Sequence, residues 1–442
     1  MRGAIDCIML LQLTSKLSLQ RNISSFIQEI EKRLSVGETE NNLANHALAV
    51  GGEKGLTTFY FYLQKLQNRA LISFTAGTDT PLATLIPNAH GFSLKATDDL
   101  EGRNYQLSRF CLIRREGERW ILETPLANAR LIIKNNDVYR LLDELKTEKT
   151  FADICNTFSH LRESDIRDCL ILLLNVQAFA FCDDTQALKQ WEFHDLFFHT
   201  RSRLGRLYAP FGGVFPFKDT TSSPPLLKPS SGTNKIELFR PDLEQLKKED
   251  PSFAEVMEKR RSIRDPGKTP LNAKQLGEFL FRAARIKKTL PNSLIECAYK
   301  PYPSGGGIHE LEIYPVIHRC EGVAPGIYHY DPLNHALALI RAEDAETEIL
   351  LRDAIAATMK ETYPAVLFVF SARFERISWK YRSIAYALIL KHVGVLTQTM
   401  YLVATAMSLS PCAVGAGNSD LFANLLDSDY YKETSVGEFI LS

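Results

Sequence analysis

The chain has no net charge: across 442 residues, 52 Lys plus Arg balance 52 Asp plus Glu. A general electrostatic pull on nucleic acid or on an anionic membrane is therefore excluded, although local patches are not. Cysteine is sparse. There are eight, and no two form a CxxC pair, which removes a zinc ribbon and a thioredoxin motif and points to a reducing compartment. Cys7, Cys111, Cys155, Cys169, Cys182, Cys297 and Cys320 read as small thiols, buried or half-buried; Cys412 falls in a glycine-rich stretch. No apolar run approaches about 18 residues, so no transmembrane helix is expected. Residues 5–13 contain Asp6 and follow a single basic residue, Arg2. They read as a strand rather than a signal peptide, and the expected location is the cytoplasm. No GxGxxG stands between a strand and a helix, so a Rossmann fingerprint is missing.

What is present is an ordinary globular composition, 45% apolar and 24% charged, which rules out disorder as the dominant state. At roughly 100–200 residues per domain the length predicts two to four domains. The clearest break is the Ser-, Thr- and Pro-rich stretch 220–234, with Pro224-Pro225 inside it. It is a linker, or an extended segment lying across a surface. Upstream, residues 55–76 and 163–184 share an order of apolar helix, polar turn and short strand, which predicts two winged helix-turn-helix-like copies. Around the second, 107–114 and 119–123 are expected to pair as a hairpin about residues 115–118, and 137–145 and 151–158 to form helices. The candidate recognition helix, 166–176, is nearly all apolar, with Arg167 and Asp168 its only charges. That suits peptide docking by an added strand better than contacts to DNA. The expected organisation is a first module over 1–98, a second over 99–190, a connecting segment over 191–240 and a further domain over 241–442. In that last part helices and strands mix without strict βαβ alternation, so the fold class is α+β.

Four clusters in the second half carry chemistry. Arg260, Arg261, Ser262 and Arg264 put three guanidiniums and a hydroxyl within five residues. In an extended segment 260, 262 and 264 would face one side as a phosphate clamp; a solvated basic helix end is the other reading. Tyr302-Pro303-Ser304-Gly305-Gly306-Gly307-Ile308-His309-Glu310 contains three successive glycines that permit close backbone approach to a flat ligand, or simply a turn. Trp379-Lys380-Tyr381 opens what reads as one long helix over 381–408, and Lys and Tyr are proton-transfer groups when burial tunes them. Pro411-Cys412-Ala413-Val414-Gly415-Ala416-Gly417 offers backbone N–H groups to an anion or a ring carbonyl.

Taken together, these four clusters resemble the nitroreductase-like flavin fold, and more narrowly the azoline dehydrogenases of the SagB/ThcOx type. The segment from His194 to Gly205 and the run Pro325-Gly326-Ile327-Tyr328-His329-Tyr330-Asp331-Pro332 are similar to segments of that family. The resemblance spans about residues 100–442, and the doubled upstream region looks most like the cyanobactin oxidase branch. It implies that Arg260, Ser262 and Arg264 hold the phosphate of FMN. Pro303, Ser304 and Gly305 would pack on the flavin from the second subunit of a homodimer. Val414 and Gly415 would bring backbone to the flavin N5, and Lys380 and Tyr381 would be the catalytic pair, with His309 the next candidate base. The implied activity is FMN-dependent dehydrogenation of thiazoline or oxazoline rings in a ribosomally made peptide, with no metal, no nucleic acid and no membrane. A general NAD(P)H-dependent nitro- or quinone reductase and a non-catalytic peptide-binding scaffold are the rivals. In one respect the sequence departs from the family: the tail Val436–Ser442 lacks the basic residues that many of these proteins bring to the phosphate, leaving Arg373 and Arg376 as candidates.

Overall fold

The computed structural model describes residues 7–10, 25–95, 97, 99–182, 185–206, 210–229, 233–265, 270–291, 294–360 and 362–442. Arg2, Asp6, residues 11–13 of the expected first strand, residues 183–184 of the second repeat, Ser230, Ser231 and Gly232 lie outside them, as does the Cys7 side chain. The chain divides into two compact units, Met1–Pro210 and Phe211–Ser442.

The first unit is built on one antiparallel sheet of six strands. Their order is Cys7–Leu10, Ile72–Ala76, Ala83–Pro87, Ala129–Ile133, Arg119–Glu123 and Leu112–Glu116. The Ile72–Ala76 and Ala129–Ile133 strands are buried at every position, as near-continuous apolar runs in a central strand should be. Strands of the two expected modules pair directly, Ala83–Pro87 with Ala129–Ile133. One hydrophobic core runs from Ile30 to Phe179, so the two copies share a single sheet and a single core.

The first copy has the helix-and-wing form. Thr39 caps the Glu40–Asn68 helix, Gly52 kinks it, and a turn leads into the hairpin of Ile72–Ala76 and Ala83–Pro87. The second copy differs from expectation. Its Glu163–Asn175 helix forms, but no wing strand follows it among the described residues. Phe179 makes one bridge to Leu107, and Ala180–Cys182 turns into a 3₁₀ helix. The reason is aromatic packing: Phe179 is fully buried, with its ring 4.9 Å from Tyr105 and 5.4 Å from Phe181. The upstream hairpin is also tighter than expected. Glu116 pairs with Arg119 across the two residues Gly117 and Glu118, and Gly117 has φ +62°. Glycine at the first central position suits a type II′ turn, which extends the strand through Arg115 and Glu116.

The second unit packs helices on both faces of a seven-stranded antiparallel sheet. The order is Thr233–Glu237, Ala336–Ala342, Gly326–Asp331, Leu311–Ile317, Val366–Arg373, Glu433–Leu441 and Pro411–Val414. Alternation along each strand sorts the core into two clusters. Leu311, Ile313 and Phe439 meet the Ala273–Ala284 and Ala385–Ala406 helices, whereas Tyr314, Val316 and Ile440 meet the Ala345–Thr358 and Ser419–Leu425 helices. The Ala385–Ala406 helix is apolar and long enough to cross a membrane by composition, yet Ile389, Leu396, Met400 and Ala404 bury one side of it in this core.

Two further readings change here. The long helix begins at Ala385, not at 381: Lys380 ends the short Phe374–Lys380 helix, and Tyr381-Arg382 is a two-residue strand paired with Gly212-Gly213. Ser383 at φ +67° breaks the helical path between them. The proline-rich stretch is an extended segment lying across a surface. Arg376 donates to Pro224 O at 2.6 Å, Arg373 to Pro225 O at 2.8 Å, and Trp379 Nε1 to Thr221 O at 2.9 Å, while Leu226 is buried.

Candidate active site

Two groups of residues assemble in the second unit. In the first, the Arg260–Arg264 segment leaves the Phe253–Lys259 helix in an extended conformation and runs beside the Pro411–Val414 strand, with Ile263 N donating to Pro411 O at 2.8 Å. Tyr401 from the long helix ties the two together. Its hydroxyl lies 2.7 Å from Ser262 Oγ and accepts from Ala413 N at 2.7 Å, and the Arg260 guanidinium sits 5.3 Å from its ring. Arg261 and Arg264 are exposed and form no salt bridge among the described residues. Val414 is buried, and Gly415 is open, with nothing within 4 Å of where a Cβ would stand. The Arg264 guanidinium, the Ser262 hydroxyl and an open glycine backbone fit a phosphate joined to a flat ring.

The second group forms around the glycine loop. Gly305 N donates to His392 Nε2 at 2.7 Å, and His392 Nδ1 donates to Glu310 Oε1 at 2.6 Å. Glu310 is fully buried. Ser304 Oγ accepts from His309 N at 3.0 Å. Gly306, at φ +63°, faces the catalytic candidates so closely that a Cβ there would collide with Lys380 Nζ and come within 3.0 Å of Tyr381 Oη. Lys380 and Tyr381 are held from behind by the start of the unit: Phe215 N donates to Lys380 O at 3.0 Å, and the Phe215 ring lies edge-on to Trp379 at 5.7 Å. Burial, with Cys297 and Glu310 nearby, pushes the Tyr381 phenol up from its ordinary value, so it keeps its proton at neutral pH.

The chain thus brings Arg260, Ser262 and Val414 together, and Ser304, Gly305, Lys380 and Tyr381 together, but in two places. His392 and Tyr401 anchor the two groups on one helix. An ideal helix separates residues nine apart by about 13.5 Å and about half a turn. Three expectations fail. Arg376 is fully buried and donates to the carbonyls of Ile308, Pro224 and Glu296; Arg373 is taken up by Glu312 and the carbonyls of Pro225 and Leu226. Neither is free for a phosphate. His309 is 4% exposed, and burial presses its imidazole down to about 3, which makes it a poor base. The tail is spent in the sheet, since Glu433–Leu441 pairs on both edges.

The sequence alone does not single out His392 or Tyr401, and names Glu310 only as the end of the glycine-rich run. The signal for His392 was there: a histidine in the most apolar helix must find a hydrogen-bond partner. Tyr401 carried no such signal, because half of its role is a contact to a segment 139 positions away.

Three family models match the chain: the ThcOx helix-turn-helix domain over residues 4–96, the cyanobactin oxidase ThcOx over 105–208, and the nitroreductase family over 257–438. A protein of Methanocaldococcus jannaschii assigned as a nitroreductase is 31% identical over 184 residues, which is 41% of this chain and 84% of the relative. Among solved structures, the chain overlaps a subunit of the Escherichia coli microcin synthetase McbBCD complex with truncated pro-MccB17 bound. That match has 21% identity, covers 47% of this chain and 84% of the other, and has a TM-score of 0.35. A nitroreductase of Desulfovibrio desulfuricans crystallised with FMN overlaps at 14% identity, 43% and 86% coverage, and a TM-score of 0.29.

Proposed function

The chain belongs to the nitroreductase family and carries upstream the two segments of a cyanobactin oxidase of the ThcOx type, and from that premise we propose that it dehydrogenates thiazoline or oxazoline rings of a ribosomally made peptide, using FMN. The observation that carries this reading is the Lys380–Tyr381 pair held against Gly306, beside the Ser304–Gly305 loop. When bound, FMN supplies the acceptor for the hydride that leaves the azoline Cβ. Arg260, Ser262 and Arg264 would hold its phosphate, and Val414 and Gly415 would lie along the ring.

The protein's own task is the proton at Cα. Tyr381, whose phenol stays protonated, donates a hydrogen bond to the azoline ring, and the Lys380 amine takes the Cα proton. Glu310 and His392 fix the loop that bounds this space through Gly305 N–H. The Leu112–Glu116 strand ends the first unit's sheet and offers a ladder to which an extended peptide can add.

Two such sites form in a homodimer. On an ideal helix His392 and Tyr401 point about half a turn apart, so one chain would hold its phosphate group of residues and its Lys–Tyr group apart. The Ala385–Ala406 helix leaves Tyr386 and Leu390 exposed, with Gly394 one turn on and open space where its Cβ would stand. Pairing two copies along this stripe would bring the loop of one to the arginine segment of the other and bury about 2,000 Å² or more. The test is the absorbance spectrum of the purified protein, followed by mass analysis of a thiazoline peptide incubated with it. A flavin spectrum and a loss of two hydrogens support the reading. A colourless protein, or a peptide of unchanged mass, rejects it. Rapid bleaching by NADPH would instead favour the general reductase.

A further inference from the structure

Phe215 stands in a backbone conformation that its side chain disfavours. Its φ is +51°, in the left-handed region, where a bulky aromatic residue is a genuine exception. Such strain persists only where the surroundings fix it, and it gathers at functional positions. Three contacts fix it here. Phe215 N donates to Lys380 O at 3.0 Å, Phe215 O accepts from Lys218 N at 3.3 Å, and the ring lies edge-on to Trp379 at 5.7 Å. Just ahead of it Gly212, at φ +90°, and Gly213 pair with Tyr381-Arg382.

This strained turn carries the Phe215 ring to the Lys380 side chain. Lys380 is half-buried, and its amine makes no hydrogen bond or salt bridge among the described residues. The titratable groups about the Lys–Tyr pair offer it no counter-charge. Glu310 is bound to His392 at 2.6 Å, and Cys297 Sγ donates to Gly306 O at 3.3 Å. Arg376 is spent on three carbonyls, Arg382 is exposed, and Tyr381 keeps its proton. What the amine does face is aromatic. Nζ lies over the Phe215 ring at 5.7 Å and over the Tyr381 ring at 5.3 Å. Both distances fall inside the ~6 Å reach of a cation–π attraction. A half-buried charge with neither a carboxylate nor a carbonyl needs another partner, and the negative faces of the two rings supply one.

We propose that Phe215 is a positioning residue for Lys380: its ring is the cation–π partner that holds the amine in place and stabilises positive charge on Nζ. The segment ahead of the proline-rich stretch then acts directly on the group that handles the proton. What Lys380 does to a substrate rests on the azoline reading. The contact between ring and amine does not, because it is tested without turnover.

The test replaces Phe215 in the full-length protein by 4-fluoro-, 3,5-difluoro- and 3,4,5-trifluorophenylalanine. These keep the shape of the ring and drain charge from its face step by step. Trace acetic anhydride at about pH 8 reads the uncharged fraction of each lysine, and peptide mass spectrometry separates Lys380 from the others, which serve as internal references. Acetylation of Lys380 is expected to rise with each fluorine, to about two- to fivefold for the trifluoro ring, while the other lysines stay level. Phe215→Tyr, which keeps the ring, should stay at the wild-type level, and Phe215→Leu should rise at least as far as the trifluoro protein. A ring that merely fills space gives no dependence on fluorine count. The proposal is overturned if Lys380 acetylation is flat across the series, or if folded Phe215→Leu labels as wild type does. The fluorinated proteins decide the matter even where Phe215→Leu does not fold. With a thiazoline peptide under anaerobic conditions, the rising limb of the pH profile of flavin bleaching should move to lower pH by the same factor. A graded acetylation series with an unmoved limb upholds the ring–amine contact and removes Lys380 as the base.

Discussion

Three side chains or backbone positions around the glycine loop bear most of what can be tested one residue at a time. Gly306 combines positive φ with contact to Lys380. Gly306→Ala should cost only about 1–2 kcal/mol of stability from backbone strain, yet displace the Lys380 amine and slow anaerobic flavin bleaching by a thiazoline peptide roughly 10²-fold. His392 is the only described partner of Glu310 Oε1. Removing it by His392→Leu leaves the buried Glu310 Oε1 without that hydrogen bond and Gly305 N–H without its acceptor, an expected loss of about 1–3 kcal/mol in urea unfolding. The double variant His392→Leu with Glu310→Leu should recover part of that loss. If the single variant is as stable as wild type, the pair does not hold the loop. His309 makes a pH prediction. Its folded value, about 3, lies below an unfolded value of about 6.5. Between them the unfolded chain binds more protons, so stability falls as pH falls, by roughly 1.4 kcal/mol per pH unit from this group. Asparagine tolerates the φ of +51° at this position. The stability gap between wild type and His309→Asn should therefore narrow by roughly 2–3 kcal/mol between pH 6.5 and 4.5, as read from thermal melts. Of these positions, Ser304, Gly305, Lys380 and Tyr381 could be named from local motifs. His392 could not, and Glu310 stood in the glycine-rich run without a role, because what they do depends on a contact 82 positions apart.

Among the elements, the Ala385–Ala406 helix is the most consequential. Its apolar character was plain in the sequence, but its start was not. Nothing local in Lys380-Tyr381-Arg382 announces a strand, because the partner, Gly212-Gly213, lies far upstream. The Arg-x-Ser-x-Arg segment was legible for the opposite reason: its alternation is local and its extended form needs only the Ile263 and Tyr401 contacts to fix it. The missing second wing has the same physical root as the late helix start, since burial of Phe179 against Tyr105 overrides a locally strand-like run. The exposed stripe of Tyr386, Leu390 and Gly394 gives this helix its own prediction. Leu390→Glu should leave each chain folded by far-UV circular dichroism but drive it to a monomer in sedimentation velocity at micromolar concentration. It should also strip the flavin. A Leu390→Glu protein that stays dimeric and yellow removes this helix from the interface.

On the scale of the whole chain, the composition break and the structural break do not coincide. The low-complexity stretch marks where regular structure lapses, but the second compact unit begins earlier, at Phe211. Composition is a local property, whereas the hydrogen bonds that claim residues 212–226 come from Tyr381, Arg373, Arg376 and Trp379. A truncated chain starting at Phe211 should therefore fold and take up flavin, whereas one starting at Thr233 should not. It would strip the buried Arg376 of one acceptor and Trp379 of another, at about 1–3 kcal/mol each, and uncover Lys380. Expression of the two pieces side by side, with flavin absorbance as the readout, checks this. The pairing of Gly212-Gly213 with Tyr381-Arg382 has a mechanical side as well. The covalent tether from the first half enters the second only a few residues from Pro210, and its first anchor there is the backbone of the Lys–Tyr pair. Tension in that tether would meet the backbone of Lys380 and Tyr381, the pair proposed to handle the proton, before the rest of the sheet.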